Sequence, residues 1–148
     1  MSIRIDLHFS QTIDIDLLEK GHKIWLIRIM GQVRFKTKDG WSRPYEAIID
    51  TGAPVSLIPL GIWENIEAEV MSDYIIGGIV PNKECSLPVK VGKVACKVIG
   101  KEIASREIEL NSYLVLTNKV PLIIGFDSFL TTFKLICDHK AKFICLEE

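Results

Sequence analysis

The chain has 148 residues, with 18 Lys plus Arg against 19 Asp plus Glu, a formal net charge of -1. That balance lacks the basic footprint of a nucleic-acid or anionic-membrane binder, and neither partner is expected. Hydrophobic residues make up 48% and charged residues 25%, enough for a single domain spanning residues 1–148 but short for two similar lobes.

The N-terminal residues Met1-Ser2-Ile3-Arg4-Ile5-Asp6-Leu7-His8 alternate apolar and polar and lack the apolar stretch of a signal peptide. No apolar run reaches the roughly 18 residues of a membrane span. Cys85, Cys96, Cys137 and Cys145 form no CxxC, and no histidine pair has metal-ligand spacing. Free thiols in a reducing, cytoplasmic setting are expected, with no metal or other cofactor. Cys137 and Cys145 flank a predicted turn, which leaves open whether they face each other.

Short or alternating apolar runs dominate the chain, punctuated by turn residues. Residues 3–9 read as a strand within an N-terminal extension, 1–23, that carries no further landmark. Residues 24–30 form the next strand, continued by 32–37 after Gly31. Asp39-Gly40 is a strong turn dipeptide. Residues 45–49 form a buried strand that runs straight into Asp50-Thr51-Gly52, and 60–68 a short helix. Strands are predicted over 74–80, 86–91 and 93–99, with Pro81-Asn82-Lys83 and Gly92 as turns. Strands at 105–110 and 113–117 follow, then an apolar strand at 122–124 ending on Gly125. Asp127 is the expected N-cap of a short helix through Phe133. Residues 134–137 and 142–146 close the chain as a hairpin. The class is all-β with one or two short helices, closed or sandwich-like by strand count.

The stretch Ala47-Ile48-Ile49-Asp50-Thr51-Gly52-Ala53-Pro54-Val55-Ser56-Leu57-Ile58 stands out. An acid leaving a buried strand is costly unless hydrogen-bonded. Gly52 permits a tight bend and close backbone approach. Thr51 offers a hydroxyl toward a neighbouring chain, and Ser56 one that can bond back to hold the loop.

This stretch resembles the active-site loop of the retropepsin family of aspartic peptidases. Ile76-Gly77-Gly78-Ile79 resembles the family's flap, a hairpin that closes over bound peptide. Leu122-Ile123-Ile124-Gly125 resembles its second signature, which packs beneath the catalytic loop. The landmarks span roughly 45–130. The resemblance implies a closed acid-protease barrel, no metal, and catalysis by two carboxylates that share a proton and activate water. Only one Asp-Thr-Gly is present, so the second Asp50 must come from a twofold-related copy. Asp50 is then catalytic. Thr51, Gly52, Ala53 and Ser56 support the site, Ile76, Gly77, Gly78 and Ile79 cover substrate, and Ile123 lines a pocket. The expected partners are a second copy and a peptide or protein substrate.

Viral members usually carry an Asp and an Arg where this chain has Pro54 and Phe126. The joint loss of both charges implies a replaced brace, since an apolar pair can substitute at little cost for a buried ion pair. The Met1 start and the absence of a tail suggest a free-standing cellular enzyme. Two other readings use the same residues: a dimeric peptide-binding module of this fold without turnover, and an unrelated β domain in which Asp50 caps a turn.

Overall fold

The computed structural model describes residues 2–77 and 86–148, and its secondary structure is mainly β. The Gly78–Ile79 half of the predicted flap, the end of the strand predicted at 74–80 and the Pro81-Asn82-Lys83 turn lie outside the described residues. Among the described residues no helix is long and apolar enough to cross a membrane.

The N-terminal strand divides in two. β1 (Arg4–Asp6) pairs with the C-terminal β12 (Phe143–Glu147), and β2 (His8–Ile13) pairs with β3 (Trp25–Thr37). The alternation of Ile5, Leu7 and Phe9 runs through both, but the chain changes partners at Leu7, whose N–H bonds the Ile144 carbonyl at 3.0 Å. Between β2 and β3 lies a helix not expected from the sequence, α1 (Ile15–Glu19), capped by Asp14 Oδ1 accepting from Leu17 N–H at 3.1 Å.

β3 is continuous through Gly31, and the short β4 (Gly40–Trp41) folds back on it after the Asp39 turn. β5 (Tyr45–Ile49) follows, then β6 (Ser56–Ile58) and α2 (Leu60–Trp63). The expected helix to residue 68 stops after Trp63, because Ala68 already opens β7 (Ala68–Ile76). β8 (Leu87–Ile99) runs unbroken where a turn at Gly92 was predicted. The glycine serves close approach instead: a Cβ there would sit 2.6 Å from Leu114 Cδ1 and 2.9 Å from the Glu69 carbonyl oxygen, beside the register shift of β7. β9 (Ile108–Val115) likewise fuses two predicted strands, carrying Asn111 and Ser112 in its interior.

After β10 (Ile123–Ile124) the expected Asp127-capped helix is only a 3-10 turn over Leu130–Thr132, preceded by Ser128 at φ +66°. Asp127 caps nothing; its Oδ2 accepts from Asn111 Nδ2 at 3.0 Å. β11 (Lys134–Asp138) and β12 form the closing hairpin. Its register sets Cys137 against Ile144 and Cys145 against Ile136. Alternation then puts the two thiols on opposite faces, one exposed and one buried, so they do not pair.

The larger sheet pairs in the order β2-β3-β5-β10-β6-β9-β8-β7, and Gln32–Phe35 of β3 also pair with Cys96–Ile99 of β8. The path β3-β5-β10-β6-β9-β8 therefore returns to β3, unevenly, since β10 contributes only 2 residues. Phe35, Ile58, Leu110, Leu114, Ile124 and Phe129 are fully buried inside, with Ile5 and Leu146 joining from the three-stranded sheet β1-β12-β11.

The same interior holds Cys96, whose thiol burial pushes from 9.0 up to about 12. Below pH 9 both folded and unfolded chains keep this proton. Between pH 9 and about 12 only the unfolded chain releases it, so folding stability is lost as pH rises, by up to about 1.4 kcal/mol per pH unit. Urea midpoints over that range are expected to fall less steeply in Cys96→Val; parallel curves would show that Cys96 does not couple to alkaline unfolding.

Candidate active site

β5 delivers Asp50 to a loop, and β6 takes the chain away from it. β10 lies between these two strands, parallel to β5 (Ile123 opposite Ile48, Ile124 opposite Ile49) and antiparallel to β6 (Ile123 opposite Leu57). The ladder continues into the loop: Ile48 N–H donates to the Leu122 carbonyl at 3.0 Å and Asp50 N–H to the Ile124 carbonyl at 2.9 Å. Asp50 thus leaves the sheet with its backbone fixed by a central strand.

Within the loop, Asp50 Oδ1 accepts from Gly52 N–H at 2.8 Å, and the Asp50 carbonyl accepts from Ala53 N–H at 3.2 Å. Gly52 and Thr51 are exposed, while Asp50 and Ala53 are half-buried. The Thr51 hydroxyl has no partner within the chain among the described residues.

The segment after β10 holds the loop from beneath. Phe126 N–H donates to the Ala53 carbonyl and Asp127 N–H to the Pro54 carbonyl, both at 2.9 Å. Ser56 Oγ, fully buried, accepts from Gly125 N–H at 3.0 Å. A Cβ on Gly125 would lie 2.4 Å from the Ala53 carbonyl oxygen, so this contact between two backbones requires glycine. The brace at positions 54 and 126 is therefore made by main-chain bonds. The two side chains are not its material, for Pro54 is exposed and Phe126 is 42% exposed.

Ser56→Ala would leave a buried N–H without its acceptor. A loss of about 1–3 kcal/mol is expected, read as a lower urea midpoint at unchanged slope. An unchanged midpoint would mean that Gly125 N–H finds another acceptor.

Of the residues singled out from the sequence, Asp50, Thr51, Gly52, Ala53, Ser56 and Ile123 come together around this one loop. Ile123 is half-buried between Ile48 and Leu57. Ile76 and Gly77 stand at the end of β7, with Ile76 paired to Leu87 of β8, and Gly78 and Ile79 fall outside the described residues. Gly125 belongs to the apolar-apolar-Gly signature read from the sequence, though not to its site residues. Arg28, close to the loop, shows in the sequence only as one polar residue in an alternating strand.

Ile27, Arg28, Ile29, Ile48, Ile49, Asp50 and Thr51 line a shallow depression of about 240 Å³. Among the described residues no group of three or more His, Cys, Asp or Glu side chains is placed to hold a metal ion. No protein-family model matches the chain, and no curated protein matches it.

Proposed function

We propose that this protein is a retropepsin-like aspartic endopeptidase that acts as a homodimer, with one Asp50 from each protomer at the twofold axis. The carrying observation is the Asp50-Thr51-Gly52 loop, held rigidly at the end of β5 by β10 with a single carboxylate at its mouth. The uneven β ring is, on this reading, the acid-protease barrel.

One carboxylate of the pair is ionised and the other protonated, because like charges a few ångströms apart do not both ionise readily. The ionised Asp50 takes a proton from a water held between them as its oxygen attacks the scissile carbonyl carbon. The protonated Asp50 gives its proton to the carbonyl oxygen. Collapse of the tetrahedral diol breaks the C–N bond, and the departing nitrogen takes up a proton from the pair. No covalent enzyme intermediate forms.

The remaining residues have positional roles. The Thr51 hydroxyl bonds across the axis. Backbone groups of Gly52 and Ala53 bind the extended peptide main chain. Ile76 and Gly77, with Gly78 and Ile79, cover the peptide, and Ile123 lines the pocket of a residue flanking the cut. Two large apolar side chains beside the loop, Ile27 at 45% and Phe126 at 42% exposure, support an interface there.

The test is a mixed peptide library incubated with the protein and read by mass spectrometry, with and without pepstatin. New termini that pepstatin suppresses are expected. Pepstatin binding without any cleavage would instead make the protein a peptide-binding module of the same fold.

A further inference from the structure

β3 carries Arg28 one residue past Ile29–Ile49, the last pair of its ladder with β5, and Asp50 is the residue that follows Ile49 on the other side. On its other side Arg28 pairs with Ser10 of β2. It is exposed, and among the described residues it is the only basic one lining the depression that also contains Asp50 and Thr51. The rest of that lining is isoleucine, at positions 27, 29, 48 and 49.

Some cations in this part of the fold are engaged, whereas Arg34 of β3, like Arg28, has no ion pair among the described residues. Lys36 pairs with Glu107 at 3.2 Å, and Arg43 lies over the Tyr45 ring at 4.3 Å from its centroid. Arg28 has no ion pair or hydrogen-bonding partner for its side chain among the described residues. The nearest acid in register, Asp50, turns Oδ1 to its own loop at Gly52 N–H. A guanidinium in the depression that Asp50 and Thr51 share with four isoleucines, without a side-chain partner among the described residues, is placed to receive an anion from outside the chain.

We propose that Arg28 is a specificity-determining residue that binds a carboxylate on the substrate, an Asp or Glu side chain near the scissile bond. This rests on the peptidase reading above. The planar guanidinium takes a carboxylate through two parallel N–H···O bonds, and its position fixes how far that carboxylate lies from the bond cut at Asp50. The substrate class that follows is an acidic peptide segment, and the selected residue occupies the position that bears on β3.

The test uses one cleaved peptide with Glu or Gln placed in turn at each of the positions flanking the cut. Asp50→Asn serves as the inactive control. For the wild-type protein, Glu is expected to exceed Gln in kcat/KM by about ten- to a hundredfold at one position, mostly through KM. Arg28→Gln should bring that ratio to about one, and Arg28→Glu should favour Lys at the same position. A wild-type ratio near one, or a ratio that survives in Arg28→Gln, overturns the proposal and leaves the peptidase reading intact. Loss of dimer mass in Arg28→Gln with the Glu preference unchanged also overturns it, assigning Arg28 to the subunit interface. Absence of cleavage of every peptide by the wild type, matching Asp50→Asn, overturns both.

Discussion

Asp50→Asn is expected to fold and self-associate as the wild type does and to lose at least about a thousandfold in kcat/KM. The amide is nearly isosteric with the carboxylate and keeps an oxygen where Oδ1 accepts from Gly52 N–H, so the loop retains its internal bond. The backbone bond from Asp50 N–H to Ile124 is untouched. On the proposed mechanism, what is lost is the capacity to take a proton from water, once in each protomer. The wild-type pH profile is expected to peak in the acidic to mildly acidic range, because the pair works with one proton shared between two carboxyls. Cleavage by Asp50→Asn at the wild-type rate would remove Asp50 from the chemistry, and a strictly alkaline optimum would exclude a shared-proton pair.

Gly125→Ala is expected to be the most damaging single methyl in the loop frame. The added carbon would sit 2.4 Å from the Ala53 carbonyl oxygen and 3.1 Å from the Ala53 and Val55 carbonyl carbons. These are backbone atoms, so no side-chain rotation relieves the clash. The chain must open the Ala53–Phe126 bond, the Ser56–Gly125 bond, or both. Overpacking of this kind costs about 1–3 kcal/mol, and each hydrogen bond lost adds about another 1 kcal/mol. A drop of roughly 10 °C in Tm follows for a domain of this size. Gly40→Ala is the contrast: nothing lies within 4 Å of its Cβ position, although its φ of +129° strains any L residue. A Tm unchanged in Gly125→Ala would show that β10 and the Asp50 loop are not held in the close contact described.

The parts of the fold that proved legible are those in which local pattern and tertiary role agree. β3 and β5 are apolar, bounded by turn residues, and central. Asp50-Thr51-Gly52 follows a buried strand, and the apolar run ending at Gly125 is a strand between β5 and β6. Misreadings fell where one local signal serves two physical ends. Gly92 carries the mark of a turn but admits Leu114 and the Glu69 carbonyl within a continuous strand. Asn111 and Ser112 resemble a break, yet β9 runs through them, with Asn111 engaging Asp127 and Ser112 fully buried. Asp127 has the composition of a helix cap, and the competing side-chain partner Asn111 takes its carboxylate. The switch at Leu7 leaves no trace in alternation, because both sheets want the same face apolar.

The candidate site was legible in its loop and not in its frame. Ser56 could be nominated from its spacing to Asp50, but the N–H it serves belongs to a residue 69 positions away. The brace expected from Pro54 and Phe126 as side chains is carried by their backbones, which no residue type announces. Arg28 becomes visible only once the register of β3 against β5 is known.

A subunit-mixing titration tests the shared site most directly. Wild-type protein is unfolded and refolded with a ninefold excess of Asp50→Asn, and peptide cleavage is measured per wild-type chain. If each site needs one Asp50 from each protomer, most wild-type chains end in inactive mixed dimers, and activity per wild-type chain falls to about a tenth. Activity per wild-type chain that is unchanged by the excess would contradict the shared site.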